Sequence, residues 1–373
     1  MKKLAVIGKG TAGVLSAAHF FRWTDFEIDW YFDSSIKPQA VGEGTTLTFP
    51  KDIYEYFNFN ILDLESIQGT LKGGITKKNW GKYGHQFMHT FPPCNHGYHF
   101  NAVMLQEFIF NKLKNEKRIN IIDAKIKHDN IDADYIIDCS GKPENYDNFH
   151  YSPYIPVNSA YVTQCYWNGA KFQHTLAIAK SHGWIFGIPL LNRCSIGYMY
   201  NSNISSLDEI KDDVKSIFDD YELIPSDHTN HLNFKNYYRK QNFTERVCYN
   251  GNASFFLEPL EATSITVMTT IARWFYDIIH NRISSDLINE QYLYFLSDIE
   301  GMIMMHYASG SVYDSKFWKF AKERGEKKFN EFKEFRKLKD LLSSEDSFNK
   351  MGELATWTRP SYLMNIQNLG VEL

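Results

Sequence analysis

The chain has 373 residues, 43% of them hydrophobic and 16% aromatic, with a formal net charge of −4. That length supports one large domain or two tightly joined ones around a substantial core. The slightly acidic balance, with no block of lysine and arginine, argues against a nucleic-acid partner, and the absence of a long apolar run argues against a membrane span.

The opening MKKLAVIG has too short an apolar run for a secretory leader, and Lys9 interrupts it. The five cysteines, Cys94, Cys139, Cys165, Cys194 and Cys248, are odd in number, scattered and free of Cys-x-x-Cys spacing. Reduced thiols and a cytoplasmic location are therefore expected. The sequons at Asn203, Asn242 and Asn252 are then chance matches.

KLAVI (3–7) reads as a short buried strand running into GKGTAG, Gly8 to Gly13, and then into the helical VLSAAHFFRW (14–23). This is Gly-x-Gly-x-x-Gly between a strand and a helix. Gly8 permits the tight turn and Gly10 lets a pyrophosphate reach the backbone. Gly13, with Ala17 one turn on, lets the helix pack close to the sheet. The next strand is EIDWYF, and Asp33 stands 20 residues past Gly13, where a ribose-binding acid belongs. Together these predict a dinucleotide site.

The stretch GHQFMHTFPPCNHGYHF (84–100) offers His85, His89, His96 and His99 with Cys94 as metal ligands. Its prolines and aromatics argue against the helix that would align His85 with His89, and no metal is expected. NAVMLQEFIFNKLKNEK (101–117) reads as a helix with Ala102, Leu105, Ile109 and Leu113 on one face. ADYIIDCSG (133–141) gives a buried strand ending at Asp138, with Ser140 and Gly141 as a second backbone approach to a cofactor.

Residues 154–200 alternate in strand fashion. Within them GWIFGIP (183–189) puts Trp184 and Phe186 on one face, its proline marks the end of a ladder, and RCSIGYMY (193–200) is its expected pairing partner. In LEPLEATSI (257–265), Glu258 and Glu261 lie in an apolar run where burial raises a carboxylate's pKa. Thr263-Ser264 opens a helix whose first amides can hold an anion; read alone, the acids are ordinary capping. The last hundred residues read as charged helices, with FAKERGEKKFNEFKEFRKLKD (320–340) a solvated face bearing a Phe stripe. With no internal repeat or low-complexity linker, interleaved domains are expected.

Taken in order, these blocks resemble the flavin-dependent halogenases of the tryptophan-halogenase type. GKGTAGVLSA matches their FAD fingerprint, VGEGTT (41–46) their flavin strap, and GTLKGGI (69–75) the segment with their active-site lysine. GYHFN (97–101), DYIIDCSG (134–141), FLEPLEATSI (256–265), and His306-Tyr307 followed by DSKFW (314–318) match further blocks. GWIFGIP matches Gly-Trp-x-Trp-x-Ile-Pro, with Phe186 where a second Trp is usual. The resemblance covers about residues 3–320.

The resemblance implies an α/β fold: an FAD-binding Rossmann-like module of the aromatic-hydroxylase and glutathione-reductase type, with an inserted antiparallel β-sheet and C-terminal helices. Residues 1–150 and 240–285 would form the flavin module, 151–239 the sheet that separates flavin from substrate, and 286–373 the helical region. Gly8, Gly10, Thr11, Ala12, Gly13, Asp33, Val41, Gly42, Glu43, Gly44, Ser140, Gly141, Asn252 and Leu257 would hold FAD. Thr263 and Ser264 would bind halide. Trp184, Phe186 and Pro189 would keep substrate from the flavin.

It further implies that hypohalous acid, made from halide and O2 at reduced FAD, reaches Lys72 for electrophilic substitution on an electron-rich aromatic ring. Glu261 would be the partner carboxylate. The expected partners are a separate flavin reductase and a small aromatic substrate, with a homo-oligomer left open. An aromatic monooxygenase and a non-catalytic flavin-binding protein are the rival readings. The chain departs from the pattern at Ala262, where serine is usual, at Ser264, where glycine is usual, and at Asn101, where aspartate is frequent. Its relatives of known type continue further, which puts tryptophan itself in question and predicts a more open aromatic site.

Overall fold

The computed structural model describes residues 1–37, 42–92, 94–343 and 357–373, and the chain divides into two compact units. The first gathers Met1–Gly69, Gly97–Tyr151 and Tyr237–Tyr294; the second gathers Thr70–His96, Ser152–Asn236 and Phe295–Leu373. No helix among the described residues is long and apolar enough to cross a membrane.

The first unit is built on a five-stranded sheet ordered Val247–Tyr249, Tyr135–Asp138, Lys3–Ile7, Glu27–Phe32, Ile119–Asp123. Every pairing in it is parallel. Lys3–Ile7 is central, and its Leu4, Ala5 and Val6 are fully buried, which is why it reads as a continuous apolar run without alternation. The following helix begins at Thr11, three residues earlier than its apolar pattern suggests, because Gly10 takes the N-cap position. It packs against the helix Ser264–Ile279, with Phe20 edge-on to Phe275 at 6.1 Å between ring centroids. The helix expected over 101–117 spans Ala102–Leu113, capped by the Asn101 carboxamide, which accepts from the Val103 and Met104 amides.

The second unit carries a seven-stranded sheet ordered Ile224–Asn233, Ser159–Tyr166, Cys194–Tyr200, Gly183–Pro189, Thr175–Lys180, Gly74–Lys78, Phe87–Thr90. All its pairings are antiparallel except Thr175–Lys180 beside Gly74–Lys78. The expected pairing of 183–189 with 193–200 is present, with Ile185 opposite Tyr198. One face packs Ile178, Ile185, Ile196 and Tyr198 against Ile210, Val214 and Ile217 of the helix Leu207–Asp220. A reciprocal capping box between Ser206 and Glu209 starts that helix.

The Phe stripe of the charged C-terminal stretch is split: Phe329 and Phe332 are buried with Phe317 and Trp318 at the start of the helix Lys316–Phe335, whereas Phe335 is exposed. Gly325 allows this packing, since a Cβ there would lie 2.3 Å from the Ala308 amide nitrogen. The single run expected over 320–340 is broken after Phe335 by Lys337 in the left-handed region, and a short helix, Leu338–Ser343, follows.

Candidate flavin and lysine sites

Three glycines of one turn have different surroundings. Gly8 has φ +102°, and a Cβ there would sit 2.3 Å from the Cys139 carbonyl oxygen. At Gly13 it would sit 2.1 Å from the Gly8 carbonyl oxygen, so packing alone requires both glycines. A Cβ at Gly10 would meet none of the described residues within 4 Å. It would stand beside a helix end whose first intrahelical bond runs from Val14 N–H to the Gly10 carbonyl at 3.0 Å. The amides before that bond, Thr11, Ala12 and Gly13, lie at the positive end of the helix dipole. These residues fit a pyrophosphate.

The rest of the expected flavin set belongs to the same unit. Strands Lys3–Ile7 and Glu27–Phe32 run parallel with Ile7 opposite Tyr31, so Asp33 falls at the carboxyl edge of the sheet next to Gly8. Asp33 accepts from Ser35 Oγ at 2.5 Å and from the Ser35 amide at 2.9 Å, which holds its carboxyl below the ordinary range. On the other side of the central strand Lys3–Ile7, burial works against the charge of Asp138. Hydrogen bonds from His128 and Ser140 outweigh it and keep this carboxyl low as well. At Gly141, φ +99°, a Cβ would again meet none of the described residues within 4 Å.

Asn252 lies in the turn Gly251–Ala253, and Leu257 is buried after it. The turn lies against the glycine fingerprint, because a Cβ on Gly251 would be 2.7 Å from the Ala12 Cβ. The Asn250 side chain ties it there, donating to Ser16 Oγ at 3.1 Å and to the Met268 carbonyl at 3.0 Å. Of the strap, Val41 lies outside the described residues. Its remainder pairs with the GYHF block. Phe100 N–H donates to the Glu43 carbonyl, Thr45 N–H donates to the Tyr98 carbonyl, both at 3.0 Å, and Gly44 bridges His99. The Thr46 and Thr266 hydroxyls then join the strap to the helix Ser264–Ile279.

That helix follows two strained residues. Glu261 and Ala262 have φ +75° and +55°, a left-handed pair without glycine that costs about 1–3 kcal/mol per residue. Strain of this kind concentrates at functional sites. Both Glu258 and Glu261 are buried. Thr263 is the N-cap without a side-chain cap bond, and the first intrahelical bond runs from Val267 N–H to Thr263 C=O at 3.1 Å. The amides at this end suit an anion.

In the second unit Lys72 is fully buried, unlike an ordinary surface lysine. Its ammonium lies 5.6 Å from the ring centroid of Phe91, within cation–π range. Phe91 is pinned beside it by an N–H bond to the Gly73 carbonyl at 2.9 Å. Two residues before Lys72, the Thr70 hydroxyl donates to the Pro189 carbonyl at 2.8 Å, fastening the lysine strand to the end of GWIFGIP. Trp184 and Phe186 share a face, 6.3 Å apart. Trp184 is buried and its indole N–H donates to the Tyr307 hydroxyl at 2.9 Å. The Phe186 ring lies over Gly197, where a Cβ would come within 2.0 Å of it.

Several residues here escaped the sequence reading. His89, a candidate metal ligand in the sequence, instead packs its ring edge-on to Trp357 at 4.9 Å and neighbours Phe91 at 6.2 Å. Among the described residues no group of three or more His, Cys, Asp or Glu side chains is placed to hold a metal. The period-two recurrence of Phe87, His89 and Phe91 was the available signal. Trp80 packs among Trp184, Tyr307 and Trp318. Lys77, also fully buried, donates to His306 Nε2 at 2.6 Å and to Asn365 Oδ1 at 2.5 Å. His306 Nδ1 faces the Met302 carbonyl at 3.0 Å, which puts its proton there and leaves Nε2 as acceptor.

Thus the described residues of the expected flavin set, with Glu261, Thr263 and Ser264, lie in the first unit, and Lys72, Trp184, Phe186 and Pro189 in the second. Similar proteins give this division a context. Tryptophan 7-halogenase RebH of Lentzea aerocolonigenes is 25% identical over 262 residues, 61% of this chain and 49% of that protein. Tryptophan 6-halogenase SttH of Streptomyces toxytricini is 24% identical over 271 residues, 64% of this chain and 51% of that protein. The chain thus spans about half the length of these relatives.

Among solved structures, SttH superposes with a TM-score of 0.82 at 19% identity, covering 100% of this chain and 91% of its own. Xcc4156, a flavin-dependent halogenase from Xanthomonas campestris, superposes at 0.75 and 18% identity, covering 86% and 80%. These likenesses carry the fold: a Rossmann-like α/β module with an added, largely antiparallel sheet and C-terminal helices. The tryptophan halogenase family model matches residues 3–128 and 93–371, and the chain belongs to that family.

Proposed function

We propose that the protein is an FAD-dependent halogenase of electron-rich aromatic compounds. The observation that carries the reading is Lys72: a fully buried lysine on a strand fastened to Pro189, within a chain that also has a glycine turn suited to pyrophosphate. Bound and reduced, FAD would supply, with O2, the oxidising equivalents that turn a halide ion into hypohalous acid.

The chain's own residues have separable tasks. Gly8, Gly10, Thr11, Ala12 and Gly13 hold the pyrophosphate, and Asp33 holds the ribose. Val41, Gly42, Glu43, Gly44, Ser140, Gly141, Asn252 and Leu257 line the remainder of the cofactor. Thr263 and Ser264 present a helix end to chloride, bromide or iodide. Lys72 carries or activates the electrophile as a hydrogen-bond donor, and Glu261 orients it or stabilises the cationic ring before proton loss. Trp184, Phe186 and Pro189 exclude organic substrate from the flavin, a task for which bulk suffices and which Phe186 therefore retains. A separate reductase supplies the reduced flavin, and the five free cysteines support a cytoplasmic setting.

The test is incubation with reduced FAD, O2, each halide and a panel of phenols, anilines and indoles, followed by mass spectrometry. Halide-dependent mass shifts are expected. Oxygenated products without halide dependence would mean an aromatic monooxygenase, and bound FAD with no product would mean a flavin-binding protein.

A further inference from the structure

Lysine is almost never fully buried, and taking a charge out of water is costly even when it is paired. Lys77 is nevertheless fully buried, on a strand whose alternate residue, Ile75, is buried as well. Cross-strand pairing shows what shares its face. Phe87 stands opposite Lys77 and His89 opposite Ile75, and on the other side Ala177 stands between Lys77 and Phe186. In this aromatic setting a leucine or phenylalanine at 77 would fill the space without desolvating a charge. Stability alone does not account for a lysine here.

The Lys77 ammonium joins separate pieces of the second unit. It donates to His306 Nε2 and to Asn365 Oδ1 of the helix Arg359–Leu369, and it lies 5.1 Å from the Trp357 ring centroid. Trp357 packs edge-on to His306 at 5.6 Å and to His89 at 4.9 Å. From His89 the row continues to Phe91 at 6.2 Å, and the Lys72 ammonium lies 5.6 Å from the Phe91 centroid. Two buried ammonium groups thus stand at the ends of one row of three rings, Phe91, His89 and Trp357.

We propose that Lys77, latched by His306 and Asn365, is the positioning residue of this row: it fixes Trp357 against His89 and so sets which carbon of an aromatic substrate is turned toward Lys72. The proposal rests on the halogenase reading above. Two charge-assisted hydrogen bonds and an attraction to the ring face have preferred geometries, so they hold Trp357 where an alkyl chain of the same length would let it slide. Small displacements at a reacting centre change rates strongly, so a loosened Trp357 mixes ring orientations.

The full chain labelled with 5-fluorotryptophan tests this, its Trp357 resonance assigned by Trp357→Phe. Lys77→Met keeps the side-chain length and removes the charge and both hydrogen bonds. Asn365→Leu removes one acceptor and leaves the strand untouched, and Asn365→Asp keeps an acceptor. The Trp357 fluorine resonance should shift or broaden in Lys77→Met and in Asn365→Leu. In turnover with reduced FAD, O2, bromide and the phenol, aniline and indole panel, the ratio of brominated ring isomers should change at least about threefold in both. Asn365→Asp should keep the parental ratio. The ratio does not depend on how much of the chain is folded, so a merely structural role would leave it unmoved. If Lys77→Met does not fold, Asn365→Leu decides by the same two readouts. An unmoved Trp357 resonance in the folded variant, or a parental isomer ratio once the resonance has moved, would overturn the role of Lys77 alone. A parent that makes no brominated product would overturn the halogenase reading, and the role of Lys77 in orientation with it.

Discussion

Gly10 and Gly13 stand three residues apart in one turn but answer to different constraints. An alanine at 13 must displace the Gly8 carbonyl, whereas an alanine at 10 meets no atom of the described residues within 4 Å. Gly13→Ala should therefore destabilise the first unit by about 1–3 kcal/mol. Gly10→Ala should leave the melting temperature nearly unchanged and weaken FAD binding at least about tenfold, ~1.4 kcal/mol. Thermal melts beside a flavin titration separate the two, and unaltered affinity in a folded Gly10→Ala chain would remove the pyrophosphate from this turn.

The His128–Asp138 pair makes a prediction about pH. Hydrogen bonding to Asp138 raises the His128 pKa, and Asp138 is held low, so each stabilises the fold in its charged form. The Asp138 contribution is present above the ordinary carboxylate pKa, near 3.9, and is lost as pH falls through its lowered value. The His128 contribution is present below about 6.5 and is lost as pH rises through its raised value. His128→Gln should therefore cost most stability at about pH 4–6.5 and least above about pH 8, with a maximum below roughly 1 kcal/mol for this partly exposed pair. Melting temperatures across pH 4–9 check it; a difference that grows toward alkaline pH would contradict the assignment.

At the scale of elements, the strand Gly183–Pro189 depends on its neighbour. Phe186 occupies the space over Gly197 on the paired strand, so Gly197→Ala must move the ring. A cost of about 1–3 kcal/mol is expected. On the halogenase reading, flavin turnover should also yield more oxygenated or peroxide product per halogenated product. Unchanged stability and partition would mean that the ring is not held there for separation.

The pairing of this strand was legible because alternation, glycines and a terminal proline agreed. The edge strand Ile224–Asn233 was not, since it buries neither face and so leaves no hydrophobic pattern. The helix Leu207–Asp220 carries its own start signal in the sequence, the Ser206–Glu209 capping box. The strand Gly74–Lys78 was hidden for another reason: its position beside Thr175–Lys180 comes from a parallel pairing about a hundred residues away in sequence.

For the whole molecule, the legible part was the Rossmann-like module, because its strand, glycine turn and helix stand in a fixed local order. The two units interleave along the chain, and only tertiary contacts draw their boundaries. The burial of Lys72 and the aromatic set of His89, Phe91 and Trp357 were likewise illegible, since each depends on segments distant in sequence. Lys72 is the centre of the functional account, and the direct measurement compares the parent with Lys72→Ala under reduced FAD, O2, halide and an aromatic substrate. Halogenated product, by mass spectrometry, should fall by about a hundredfold or more, ~2.7 kcal/mol, while O2 consumption and flavin oxidation stay within about twofold. Halogenation by Lys72→Ala at near the parent rate would contradict the account.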